Sequence, residues 1–326
     1  MDGDADVGAG ARRRLDPEIA AGLRRFEAAE GARAEPPPGD WRALREALTA
    51  DIARLASLES HECSGLDVAD AETVSADGAA VRLRWYARRD SAPGSAVVFV
   101  HGGGAVAGNI DLYDGMVSAY VDGSGVPALS VDYRLAPEAG GDAATQDVLA
   151  ALRWLHERAP SLGVDRGRIA VMGESAGGLL AAVCAIAARD QGLGVAAQIL
   201  IYPMLDDRTA AVDDDRAPLL TWSVDANVTA WRALLGDAVP GKPPSPLIAP
   251  ARLERFDGLA PAYIEVGDLD LFRDECLAYA TRLAGAGVPL ELHVHPREPH
   301  GYERFAPASD LARRALADRV RVLRSL

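Results

Sequence analysis

Cysteine is scarce in this chain: Cys63, Cys184 and Cys276 are the only three among 326 residues. Odd in number and far apart, they suit neither a disulfide framework nor a zinc-ligand spacing, and a reducing compartment is expected. An excess of positive charge is missing too, since 34 Lys and Arg stand against 48 Asp and Glu, for a net charge of −14. Such a surface repels phosphate backbones and anionic lipid, which argues against nucleic acid or membrane as a partner. The opening Met1-Asp2-Gly3-Asp4 is acidic and no apolar stretch follows, so no secretory signal is read and a cytoplasmic location is expected. The longest weakly polar run, 176–188, is too short to span a bilayer and reads as a buried helix. No internal repeat is found. What remains, 49% hydrophobic and 25% charged residues, is ordinary for a folded globular protein and sufficient for a large core.

Residues 1–15 lack any periodicity and read as a loose tail carrying Arg12, Arg13 and Arg14. Asp16 before Pro17 then reads as a helix start, with Ile19, Leu23 and Phe26 on one face. After Pro36-Pro37-Pro38, the series Trp41, Leu44, Leu48, Ile52, Leu55 and Leu58 keeps three-and-four spacing over about five turns, a second amphipathic helix. From residue 67 the pattern becomes short β-rich runs at 81–85, 96–100, 128–132, 169–172, 199–202, 262–266 and 290–295. Helical stretches at 143–159, 176–189, 273–285 and 309–325 alternate with them. That alternation predicts an α/β fold with a mostly parallel sheet covered on both faces. The interval 206–247 holds a helical stretch at 224–235 but no strand, and reads as an insertion over one end of the sheet. The expected organisation is therefore a tail at 1–15, N-terminal helices contributing to a cap at 16–66, a catalytic domain at 67–205 and 248–326, and a cap insertion at 206–247.

The chemistry centres on Gly173-Glu174-Ser175-Ala176-Gly177, where a strand runs through Gly-x-Ser-x-Gly into a helix of small residues. A nucleophile on so sharp a turn has strained backbone angles, and only small neighbours two residues away avoid collision. Ser175 is the candidate nucleophile; the bland alternative is a tight turn with a capping serine. A second cluster, His101-Gly102-Gly103-Gly104, follows the 96–100 strand. Its glycines permit amide N–H groups to point at a developing oxyanion, with the Ala176 amide as a further donor. Alone it would be an unremarkable flexible loop, and its weight comes from its position ahead of Ser175. His101 is read as orienting the loop.

Taken together, His101-Gly102-Gly103-Gly104, then Asp132-Tyr133-Arg134-Leu135-Ala136-Pro137-Glu138, then Gly173-Glu174-Ser175-Ala176-Gly177-Gly178 resembles the motif series of hormone-sensitive-lipase-like α/β hydrolases. The likeness runs from about residue 80 to the C-terminus, including Tyr202-Pro203 and Pro261-Ala262-Tyr263-Ile264. It implies the α/β-hydrolase fold with an eight-stranded, mostly parallel sheet flanked by helices under a helical cap. It also implies cleavage of carboxylic esters with neither metal nor organic cofactor.

By that resemblance the family's acid falls on Asp270 of Asp270-Leu271-Phe272-Arg273-Asp274-Glu275, where leucine replaces the family's proline and leaves Asp268 and Asp274 as rivals. Asp270 follows the 262–266 strand and keeps the chain order Ser, Asp, His. Asp274 is expected to cap the next helix. For the base, His300 lies in a loop as Pro299-His300-Gly301, whereas His293 and His295 alternate along a strand and read as polar residues of its outer face. His61 and His156 stand in pre-strand or helical contexts.

The expected mechanism is acyl transfer by Ser175, His300 and Asp270, with the amides of Gly103, Gly104 and Ala176, and Gly102 as a further donor, holding the oxyanion. Glu174 is assigned a supporting place behind the nucleophile, or else a plain helix-terminus charge. Tyr133 and Arg134 are read as architectural, and Ala105, where relatives carry bulkier residues, as widening the pocket. An amidase, deacetylase or lactonase, or a receptor-like binder, are the rivals. The expected partner is a small-molecule ester, short-chain because Asp206, Asp207, Asp213, Asp214 and Asp215 make the cap acidic, and the last helix and strand offer a homodimer face.

Overall fold

The computed structural model describes residues 14–30, 35–58, 65–89, 94–236 and 243–326. Most of the expected tail, with His61 and Cys63, lies outside them. Strands are β1 (Leu66–Val74), β2 (Ala80–Arg88), β3 (Gly94–Val100), β4 (Ala128–Asp132), β5 (Val164–Glu174), β6 (Gln198–Ile201), β7 (Ala262–Gly267) and β8 (Leu290–His295). Helices are α1 (Pro17–Glu30), α2 (Trp41–Leu58), α3 (Asp114–Ser124), α4 (Ala143–Arg158), α5 (Ala176–Asp190), α6 (Val224–Leu235), α7 (Arg273–Gly285), α8 (Tyr302–Phe305) and α9 (Asp310–Arg324).

The strands form one eight-stranded sheet in the order β1-β2-β4-β3-β5-β6-β7-β8, antiparallel at β1/β2 and β2/β4 and parallel elsewhere. This is the α/β-hydrolase fold. The middle strands β3 and β5 and helix α5 are buried throughout their apolar stretches, as expected for a parallel sheet covered on both faces. α5 buries every residue from Ala176 to Ala188, so its alanines and glycines let it seat closely on the sheet.

Two elements escape the sequence pattern. β1 exposes most of its residues, and its antiparallel ladder to β2 is lined by charge, with Asp70 accepting from Arg82 and Arg84, so no apolar alternation marks it. α3 lies in a stretch with Gly and Ser and a weak apolar face. A third element is inverted. On β8, Leu292 and Val294 face outward, whereas His293 is half-buried and His295 buried against Tyr302, with ring centroids 5.5 Å apart. The expectation that both histidines lie on the outer face is therefore corrected. His295 turns toward the carboxylate of Glu265, which the buried Arg319 of α9 neutralises.

α1 and α2 run before the sheet and pack back over its C-terminal edge. Asp16 Oδ1 accepts from the Glu18 amide at 2.8 Å at the start of α1, and the Phe26 ring meets Phe305 edge-on at 5.3 Å. α2 lies against α6, and the Gly39 amide donates to Thr229 Oγ1 at 2.8 Å. No described helix is long and apolar enough to cross a membrane.

Candidate active site

The C-terminal ends of β3, β5, β7 and β8 bring together the glycine loop, Ser175, Asp270 and His300, at the edge where parallel α/β sheets bind ligands. Ser175 sits between β5 and α5 at φ 56° and ψ −119°. The turn requires glycine on either side: a Cβ on Gly173 would lie 2.2 Å from the Gly177 carbonyl oxygen, and one on Gly177 would lie 2.0 Å from that of Val100. The amide of Ser175 donates to Ile201 O at 2.9 Å and its carbonyl accepts from Leu179 and Met204, which fixes the turn.

His300 Nε2 is 2.9 Å from Ser175 Oγ, and His300 Nδ1 is 2.8 Å from Asp270 Oδ2. A carboxylate only accepts, so Nδ1 carries the proton and Nε2 accepts from the serine hydroxyl. Asp270 is fully buried, and its other oxygen accepts from the Phe272 amide at 2.8 Å. The imidazole is enclosed by the ring edges of Tyr202 (4.8 Å) and Phe272 (5.0 Å), and Thr221 Oγ1 donates to the His300 carbonyl at 2.6 Å. Of the rival acids, Asp268 Oδ1 accepts from the Arg297 amide, and Asp274 pairs with Arg216 and Arg273. The capping role expected for Asp274 is not met: it lies inside the first turn of α7, whose flanking residue Phe272 makes no side-chain cap, and the arginines take its carboxylate instead. His156 is remote, bonded to Gly194 O at 2.8 Å.

Across the cavity, the glycine loop is held entirely from behind. His101 is buried and stacks on Tyr133 at 4.2 Å, and Tyr133 OH donates to the His101 carbonyl at 3.0 Å. Nδ1 of His101 donates to Gly102 O at 2.8 Å, and burial lowers its pKa to about 4, keeping the ring neutral. Gly103 O accepts from the amides of Val106 and Ala107, and Ala105 O from Ala136. Among the described residues, nothing accepts from the amides of Gly103, Gly104 or Ala176. Arg134 makes paired bonds to the buried Asp147, as an architectural residue should. Ala105, by contrast, does not line the cavity. It is buried at φ 59°, beneath the loop, so the space in front belongs to Gly104, against which Trp222 packs.

The cavity over Ser175 measures about 120 Å³ and is walled by Phe26, Leu48, Ile52 and Leu55 of the N-terminal helices, and by Thr221 and Trp222 of the 206–247 segment. A second cavity of about 250 Å³ lies on the far side of Trp222 and Thr221, sharing Leu48 and Asp51 with the first. Much of the acidity expected of this segment is internally matched, since Asp206, Asp207 and Asp213 pair with Arg208, Arg252 and Arg216.

Beneath the floor, Glu174 holds the supporting place behind the nucleophile that the sequence suggested. Glu174 is not a solvent-facing helix charge but a buried carboxylate, accepting from Tyr202 OH at 3.1 Å, with Arg304 Nη1 3.4 Å away. Tyr202 OH also lies 2.8 Å from Glu303 Oε1, and burial together with these carboxylates raises the phenol well above its usual value, so it keeps its proton. Among the described residues, non-glycine positive φ occurs only at Ala105, Ser175, Tyr202 and Arg297, the last three residues before His300. Each costs on the order of 1–3 kcal/mol, and such strain persists where the surroundings over-determine the backbone. No sequence motif announces it at Tyr202 or Arg297. The one grouping of three metal-ligating side chains among the described residues, Glu291, His293 and Asp318, lies on β8 and α9 away from this centre, where Arg321 pairs with both carboxylates.

Known proteins resemble this chain in sequence and in fold. The alpha/beta hydrolase fold family covers residues 97–304. The chain is 42% identical over 221 residues to Esterase LipI of Mycobacterium tuberculosis, covering 67% of this chain and 68% of that one. It is 32% identical over 308 residues to the ethyl acetate hydrolase of Pseudomonas putida, covering 89% and 92%. Among solved structures, a bacterial heroin esterase superposes with a TM-score of 0.85 at 32% identity, covering 95% of this chain and 97% of that one. The chain belongs to the α/β-hydrolase fold family, in its hormone-sensitive-lipase-like branch of carboxylic ester hydrolases.

Proposed function

We propose that the chain hydrolyses small carboxylic esters through an acyl-enzyme on Ser175, with His300 as general base and acid and Asp270 as the residue that orients it. One observation carries this reading: a single imidazole bridges Ser175 Oγ at 2.9 Å and a buried carboxylate at 2.8 Å. His300 Nε2 takes the serine proton as Oγ attacks the ester carbonyl, and Asp270 stabilises the imidazolium. The oxyanion is met by the amides of Gly103, Gly104 and Ala176, with Gly102 beside them. Collapse expels the alcohol, which receives the proton from His300. Water, deprotonated by the same nitrogen, then attacks the acyl-enzyme; the acyl–Oγ bond breaks, His300 returns the proton to Ser175 Oγ, and the acid is released.

The helices of 16–66 and the segment 206–247 act together as a cap over this chemistry, since both wall the cavity above Ser175. The cavity's modest size favours short acyl groups. Ser175→Ala, measured on p-nitrophenyl acetate and butyrate, is expected to lower kcat by several orders of magnitude with the fold intact. Near-normal activity of the folded variant would contradict the proposal. Matched ester and anilide substrates then separate an esterase from an amidase, with turnover expected on the ester alone.

A further inference from the structure

The guanidinium of Arg45, on α2, reaches out of the N-terminal helices into the back of the glycine loop. Nε donates to Val106 O at 2.5 Å, Nη2 donates to Ala136 O at 2.6 Å, and Nη1 and Nη2 grip Glu138 at 2.8 and 2.7 Å. The side chain is itself held flat, with its guanidinium carbon 4.7 Å from the centre of the Trp41 ring. We propose that Arg45 is a positioning residue for the oxyanion hole, so that α2 sets the rate of the chemical step as well as walling the pocket. This rests on the acyl-transfer reading above.

Gly103, Gly104 and Ala105 stand in sequence at φ 112°, 62° and 59°, and Ala105 has a Cβ that disfavours this region. Such a loop keeps one shape only if its surroundings dictate it. Gly103 O is taken by the amides of Val106 and Ala107, and Ala105 O by the amide of Ala136. Arg45 ties the two segments together, because it binds the carbonyl of Val106, next to Ala105, and that of Ala136, whose amide holds Ala105 O. Both residues are buried, at 0% and 1% exposure, so their carbonyls have little water to fall back on if the guanidinium leaves. The hydrogen bonds from Arg45 also hold the Glu138 carboxyl down to about 2, so this carboxylate is ionised throughout the working range. With its carbonyls tied from behind, the loop has its Gly103 and Gly104 amides left for the cavity. Arg45 stands on α2, outside the residues 97–304 that match the family.

The test is steady-state kinetics on p-nitrophenyl butyrate, together with inhibition by an alkyl trifluoromethyl ketone, whose hemiketal oxyanion occupies the hole. Arg45→Ala is expected to lower kcat about 10- to 100-fold, comparable to loss of part of an oxyanion contact. KM should move less than about threefold, and ketone affinity should fall in step with kcat/KM. Arg45→Lys should recover only part of the rate, since an ammonium cannot span two carbonyls and a carboxylate in the same plane. Should Arg45→Ala fail to fold, Arg45→Lys and Glu138→Ala carry the measurement, each with a smaller loss of the same pattern. An unchanged kcat with a raised KM, or ketone affinity unaffected by the substitutions, overturns the proposal and leaves α2 a wall of the pocket only. Ser175→Ala is run alongside. If it retains wild-type turnover, the acyl-transfer reading itself has failed, whatever Arg45 does.

Discussion

Asp270 Oδ2 lies 2.8 Å from His300 Nδ1, and the two residues stand on loops that leave the adjacent parallel strands β7 and β8. Asp268 and Asp274 are within four residues of Asp270, yet each is engaged elsewhere, by the Arg297 amide and by Arg216 and Arg273. Asp270→Asn should therefore lower kcat by about 10⁴-fold, by presenting the imidazole in the wrong tautomer. Asp268→Asn and Asp274→Asn should cost less than about tenfold. Measuring kcat for all three on one short ester decides the assignment, and a larger loss at Asp268 would move the acid by two residues.

Trp222 separates the cavity over Ser175 from the larger one between α2 and α6. Trp222→Ala should join them and change chain-length preference rather than mechanism. The ratio of kcat/KM for octanoyl over acetyl p-nitrophenyl esters is expected to rise about tenfold or more, the scale of one or two added methylene contacts. An unchanged ratio would mean that the second cavity is not reached by substrate.

Glu298, two residues before His300, is 1% exposed, and neither carboxylate oxygen has a hydrogen-bond partner among the described residues. Burial, with Asp16, Glu303 and Asp268 nearby and only Arg297 opposing, raises its pKa from 4.5 to about 9. The folded state thus holds a proton that the unfolded chain has released between pH 4.5 and about 9, so this group's contribution to stability falls as pH rises through that window. Glu298→Gln should be nearly neutral in denaturant melts at pH 5 and increasingly stabilising toward pH 9. A difference from wild type that does not grow with pH would contradict this.

The readable parts of the sequence were those where one rule dominates. Gly173 and Gly177 flank Ser175 because no side chain fits there, and the alanine-rich run after it can only be a buried helix. His300 was legible as a histidine in a loop rather than a strand. Local rules misled where tertiary partners decide. On β8 Leu292 and Val294 turn outward, while Glu265 of the neighbouring β7 is buried with Arg319, 54 residues away in sequence. Asp274 resembled a helix cap until Arg216, from the cap segment, claimed it. Arg45 and Glu298 carry no motif, because their surroundings come from segments far away along the chain.

The proposed reaction requires that Ser175 form the covalent intermediate. Incubation with a p-nitrophenyl alkylphosphonate, followed by peptide mass spectrometry and titration of residual activity, tests it directly. One phosphonyl group per chain on Ser175, with ester hydrolysis lost in proportion, is the predicted result. Modification at another residue, or full labelling of Ser175 with activity retained, would contradict it.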